Sequence, residues 1–156
     1  MAAYYTSQAY DAPASLIWSI LTDFPSWPHW FPNVRQIDIE GDGAPQRGTT
    51  LLASGMDPEV WTRWAIVDWA APLRLVCEHV ESNARLAPGV SAARLQFELA
   101  DEAEGCTLEV EIGADGFGMV GDFFVSMSLG QGARRLLPQL IDAFTAHVLE
   151  RVASGK

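Results

Sequence analysis

MVGDFFVSMSLGQGARRLLPQLIDAFTAHVLERV, residues 119–152, is the stretch on which the fold turns. At helical spacing Leu136, Leu137, Leu140, Ile141, Phe144, Val148 and Val152 fall on one stripe, with Asp142, Glu150 and Arg151 opposite. Met119, Val120, Phe123, Phe124 and Met127 carry the apolar face upstream. A helix with so wide an apolar face needs a broad surface to lie against, so the strands before it are read as a sheet closed over it. Gly130, Gly132 and Pro138 interrupt the pattern. Proline in a helix interior loses a hydrogen bond and crowds the carbonyl four residues back, here that of Arg134. The reading is therefore one bent helix or two helices joined near Gly130.

Upstream of that helix the chain alternates between strand and turn signals. Tyr4 to Tyr10 is rich in β-formers. Asp11-Ala-Pro-Ala-Ser then opens a short helix, with Asp11 as N-cap, Pro13 in the first turn and Leu16, Ile17, Ile20 and Leu21 as its apolar face. Ser26 to Asn33 is an aromatic-proline segment of one or two helical turns. Six strands follow at Val34–Glu40, Gly48–Ser54, Val60–Trp69, Leu73–Glu81, Ala92–Ala100 and Thr107–Ile112, separated by Gly-, Pro- and Asp-rich turns. In the last two, Leu95, Phe97, Leu99, Leu108, Val110 and Ile112 oppose Arg94, Gln96, Glu98, Thr107, Glu109 and Glu111. One dry face and one wet face indicate an antiparallel sheet covered on one side. The Val60–Trp69 strand is ambiguous, with Trp64 and Ile66 on one face and Trp61, Val67 and Trp69 on the other.

The element order, with Ala12-Pro-Ala-Ser-Leu-Ile-Trp18, Leu21-Thr-Asp-Phe-Pro-Ser-Trp-Pro-His-Trp30, Pro32-Asn-Val34, Arg47-Gly48-Thr49 and Pro72-Leu-Arg-Leu75, resembles the START/Bet v1-like (SRPBCC) superfamily. Within it, the chain resembles the bacterial polyketide cyclase/dehydrase-like members. The resemblance spans nearly all of residues 1–156 and implies a single α+β helix-grip domain. Its seven-stranded antiparallel sheet wraps around the long C-terminal helix, with two short helices after the first strand. It further implies an apolar cavity between sheet and helix for a lipid-, polyketide- or aromatic-like molecule. Some relatives are aromatase/cyclases. Cavity-wall positions are assigned on this basis to Trp27, Trp30, Phe31, Trp64, Phe97, Val110, Phe123, Phe124 and Met127, with Phe117 and Met119 as a lip. Six tryptophans in 156 residues favour a wide apolar pocket.

Charge and composition exclude several functions. Ten basic against twenty acidic residues, a formal charge of −10, argue against nucleic acid or an anionic membrane surface as partner. No secretory signal is evident, and no apolar run approaches the ~20 residues of a membrane span. Cys77 and Cys106 are read as two buried thiols of a cytoplasmic protein rather than a disulfide. Oligomeric state is open.

The candidate chemistry is sparse. Gly116-Phe-Gly118-Met-Val-Gly121 has the G-x-G-x-x-G form, but no strand follows its helix, Asp142 falls mid-helix, and Asp115 sets a negative charge beside the supposed phosphate. No cofactor is expected, and the glycines are read as the turn into the helix. His29, His79 and His147 lack metal-ligand spacing, so no metal is expected either. Ser126 and Ser128 lie in no nucleophile elbow. His79 alternates with Leu73, Leu75 and Cys77, an inward position where a histidine can act as acid or base. A polar residue satisfied near the sheet end is the commoner role for such a side chain. Arg63, of undecided facing, is an anchor for a ligand oxygen if it points inward, and Asp68 is the remaining titratable candidate. The leading expectation is a carrier of a hydrophobic small molecule. The alternatives are a cofactor-independent cyclase or dehydratase using His79 and Arg63, and a protein-interaction domain.

Overall fold

A computed structural model of the chain describes residues 2–83, 90–116 and 118–155, with side chains at 3–83, 93–114 and 134–155. The order is β1 (Ala2–Tyr10), α1 (Ala14–Leu21), a 3₁₀ helix (Phe24–His29), β2 (Gln36–Glu40), β3 (Thr50–Ser54), β4 (Trp61–Ala70), β5 (Arg74–Ser82), β6 (Val90–Glu102), β7 (Gly105–Gly116) and α2 (Gly118–Ala153). The strands form one antiparallel sheet in the order β1-β7-β6-β5-β4-β3-β2, so every sequential pair is a hairpin except β1, which returns to pair with β7. This is the α+β helix-grip arrangement, with α2 against β1, β6 and β7.

The alternation in β6 and β7 translates directly into packing. Leu95, Phe97, Leu99, Leu108 and Val110 are buried on the face that meets Leu137, Leu140, Ile141, Phe144 and Val148 of α2. Each such side chain removed from water contributes ~1.5–3 kcal/mol. Phe144 sits edge-on to both Tyr10 and Trp30. The Tyr10 hydroxyl shares a 2.9 Å hydrogen bond with Thr145 and ties β1 to the helix. Burial pushes that phenol up to about 12, against a smaller lowering effect of the Thr145 hydrogen bond.

The structure decides one alternative and changes three expectations. First, α2 is one continuous helix from Gly118 to Ala153 with Pro138 inside it, the single-helix alternative rather than two helices joined near Gly130. Second, Val152 leaves the stripe and is exposed. A row of residues four apart drifts around a helix of 3.6 residues per turn, and two steps beyond Phe144 it has turned away from the sheet. Third, Asp11 does not cap α1. The helix begins at Ala14, whose N–H donates to Asp101 Oδ1 of the β6–β7 hairpin at 3.2 Å. Fourth, Leu73 lies in the turn before β5 and is exposed.

The two faces of β4 resolve through irregular pairing. Ile66 is opposite Cys77, but Asp68 is opposite Val76, which leaves Val67 without a counterpart. A bulge of one residue reverses the phase of alternation beyond it. Trp64, Ile66 and Trp69 therefore all turn toward the core, and Trp69 meets Trp18 of α1 edge-on at 5.0 Å and Phe24 at 6.5 Å. A second shift opposite Arg63/Trp64 leaves Val80 of β5 unopposed, so His79 pairs with Trp64 and Glu81 with Arg63. Gly105 begins β7 so close to β1 that a Cβ there would run into the Tyr10 carbonyl.

Candidate functional site: an apolar cavity under the sheet

Between the sheet and α2 lies a cavity of about 200 Å³. The aromatic segment after α1 builds one wall. The Trp27 indole donates from Nε1 to the Leu21 carbonyl at 2.8 Å, which fixes the ring. Phe31 stacks on it, 5.2 Å between centroids and 8° from parallel, and Val34 continues that side. Ile37, Leu51 and Ala53 of β2 and β3 form the floor, with Trp64 and Cys77 beside them. Ala93, Arg94, Leu95 and Ile112 border it from β6 and β7, and Leu136 closes it from α2.

Of the wall positions expected from the sequence, Trp27, Phe31 and Trp64 line this cavity. Trp30, Phe97 and Val110 instead belong to the packed core, Trp30 lying 4.7 Å from Phe144 and 6.3 Å from Phe97 between ring centroids. Phe117 lies outside the described residues. Met119, Phe123, Phe124 and Met127 lie on the described backbone of α2, with side chains outside the described set. Val34, Leu51, Ala53, Cys77 and Leu136 were not singled out as wall residues. Strand alternation and the helix stripe mark an inward position but do not tell a side chain beside a void from one in close packing.

The titratable candidates separate. Arg63 is on the opposite face from Trp64: its guanidinium bonds Glu40 at 2.7 Å, pairs with Glu81, and lies 5.1 Å from the Trp61 ring centroid. It holds the Glu40 carboxyl below its usual range, and it is not an oxygen anchor for the cavity. Asp68 is likewise on the outer face, paired with Arg74 at 3.1 Å. Arg94 borders the cavity, yet its guanidinium bonds Glu111 at 2.9 Å. Glu111 alternates with Val110 and Ile112, so that pair sits on the outer face.

His79 is half-buried on the inward side, two residues along from Cys77 and across from Trp64, whose ring it meets edge-on at 5.8 Å. Its Nε2 is buried and has no hydrogen-bond partner among the described residues. Desolvation lowers its pKa, which favours the neutral ring. Burial pushes the Cys77 thiol up to about 12, so it is not a thiolate at neutral pH. Among the described residues no cluster of three or more His, Cys, Asp or Glu is arranged to hold a metal ion, and no helix is long and apolar enough to cross a membrane.

A comparison with curated protein sequences finds no match. Solved structures do match over nearly the whole chain. A START superfamily protein from Mycobacterium smegmatis aligns at 17% identity and TM-score 0.70, covering 95% of this chain and 97% of that one. Norcoclaurine synthase from Thalictrum flavum, in complex with dopamine and hydroxybenzaldehyde, aligns at 17% and 0.71, covering 96% and 87%. The Zhui aromatase/cyclase from Streptomyces sp. R1128 aligns at 17% and 0.67, covering 97% and 95%. At these identities the likeness is one of fold. The family model described as polyketide cyclase/dehydrase and lipid transport matches residues 1–152. With this sheet, this helix and this cavity, the chain belongs to the polyketide cyclase/dehydrase and lipid transport family.

Proposed function

We propose that the protein binds a hydrophobic small molecule in the cavity between sheet and α2. The observation that carries this reading is a void walled by indole, phenyl and aliphatic groups, with its nearest guanidinium paired on the far face of the sheet. Close packing is the norm in protein interiors, so a void of this size forfeits contact energy that a bound molecule restores. The test is titration with an apolar fluorescent probe. Probe binding should quench emission from Trp27 and Trp64, and Ala53→Phe should fill the floor and weaken binding at least about tenfold with an unchanged circular dichroism spectrum. Equal binding by wild type and Ala53→Phe would place the probe elsewhere.

The second reading is a cofactor-independent cyclase or dehydratase. It rests on one observation, the unpartnered buried Nε2 of His79 beside the cavity wall, and on the likeness of fold to an aromatase/cyclase and to norcoclaurine synthase. A neutral imidazole in an apolar site can take a proton from a substrate carbon or hydroxyl and return it, a role worth ~10²–10⁴-fold. Turnover of a poly-β-ketone analogue by wild type, lost in His79→Ala, would establish it. Tight binding without turnover leaves a carrier.

A further inference from the structure

The positions of the histidines tie one wall of the cavity to pH. His29, His79 and His147 are the three in the chain, and histidine is the side chain whose ordinary pKa puts its charge change between about pH 5 and 8. Trp27 and Phe31 line the cavity and stack on each other. His29, midway between them in sequence, instead meets His147 of α2, with 6.1 Å between ring centroids. The segment from Trp27 to Phe31 therefore borders the cavity on one side and the terminal helix on the other.

His147 is buried, and its Nε2 has no hydrogen-bond partner among the described residues. An imidazolium carries N–H on both nitrogens and needs an acceptor for each. Burying a charged N–H without one is costly, so His147 takes a proton only when the contact parts and water reaches the ring. Its neighbours do not offset that cost. Asp23 is already bonded to Arg151 at 3.1 Å. Arg151 and His29 oppose a second positive charge, and Glu150 is exposed to solvent. α1 carries no ionisable side chain, Tyr10 of β1 is engaged with Thr145, and β6 and β7 turn apolar side chains to the helix. The contacts that hold sheet to helix, Leu99, Leu108, Leu140 and Phe144 among them, are apolar and indifferent to pH.

We infer that the His29–His147 contact is a proton-operated latch on the cavity: in mild acid it parts, the Trp27–Phe31 wall comes loose, and the cavity gives up its ligand while sheet and α2 stay folded. The release of ligand rests on the binding reading above; the parting of the latch does not.

Two measurements on the intact protein, at about pH 7.5 and about pH 5.5, separate these across the histidine range. One is titration with N-phenyl-1-naphthylamine, which is uncharged at both. The other needs no ligand: it is NMR exchange of the Trp27 indole N–H, which donates to the Leu21 carbonyl and is protected while the wall is closed. Affinity for the probe should fall at least about tenfold in acid, because it scales with the fraction of closed protein. Protection of the Trp27 N–H should fall by a similar factor, with the same midpoint as titration of the His147 ring. Far-UV circular dichroism should not change. In His147→Gln both losses should shrink to less than about twofold. In His79→Gln they should persist, since His79 stands opposite Trp64 on β5 and away from this contact.

Affinity and protection that ignore pH would overturn the latch. So would their loss together with the circular dichroism signal, which is unfolding of the whole domain, or an equal loss in His147→Gln. A Trp27 midpoint apart from that of the His147 ring would overturn the role of His147 without recourse to the variant. Protection that falls while probe affinity holds would overturn the release of ligand. If protection falls in acid and the probe binds at neither pH, the latch stands and the binding reading fails.

Discussion

The imidazole rings of His29 and His147 lie face to face, 6.1 Å between centroids and 8° from parallel. His29 ends the 3₁₀ helix that carries Trp27, and His147 lies on α2, so the pair joins the aromatic wall of the cavity to the terminal helix. Around them stand Asp23, Glu150 and Arg151, with Arg151 bonding Asp23 at 3.1 Å. His147 is buried and its Nε2 lacks a partner among the described residues. Burial first, then Arg151 and His29, lowers its pKa, against a smaller opposing effect of Glu150 and Asp23.

Acid should therefore loosen this joint. The unfolded chain takes up the proton near a pKa of ~6.5, before the folded one does, so the contribution of His147 is complete above that pH and declines as pH falls below it. Burial of His79 acts in the same direction. The melting temperature of wild type should be flat above about pH 7 and fall between about pH 6.5 and 5. His147→Gln should show a shallower fall over that window. An identical slope in the variant would mean that His147 is not the group responsible.

Phe144 is fully buried between Tyr10 and Trp30, whereas Glu109 of β7 points to solvent. Phe144→Ala should cost ~3–5 kcal/mol in urea unfolding, and Glu109→Ala within about 0.5 kcal/mol of nothing. Comparable costs would contradict the assignment of faces.

Asp101 reaches from the β6–β7 hairpin to the first N–H of α1. Its replacement by alanine should cost ~0.5–2 kcal/mol, the range for a lost helix cap. Asp11→Ala should cost far less, because Asp11 makes no such bond. Chemical denaturation of the two variants side by side decides which aspartate caps the helix.

Cys77 and Cys106 are both buried, and burial raises both thiols, Cys77 to about 12. A disulfide reagent at pH 8 should therefore find no fast thiol in the native protein and both in denaturant. Fast modification of Cys77 in the folded protein would show that water and reagent reach the cavity wall, against the burial described above.

The alternation Leu95, Phe97, Leu99 against Arg94, Gln96, Glu98, its continuation through Leu108 and Val110, and the stripe from Leu137 to Val148 were legible from residue order alone. Each depends on the period of one element, 2 for a strand and 3.6 for a helix, and burial follows that period wherever pairing is regular. These segments, with the turns between them, were enough for an antiparallel sheet closed over a terminal helix. The tertiary structure decided the rest, because the rest depends on partners distant in the chain. Trp69 turns inward only because Val67 has no counterpart on β5, and Arg63 faces outward to Glu40 and Glu81, whose positions come from β2 and β5. The cap of α1 comes from Asp101, 87 residues beyond the N–H it satisfies. The cavity is the clearest case, since Trp27, Ala53, Cys77 and Leu136 reach it from four different elements. A void is a failure of those elements to meet, and no period within a single segment records it.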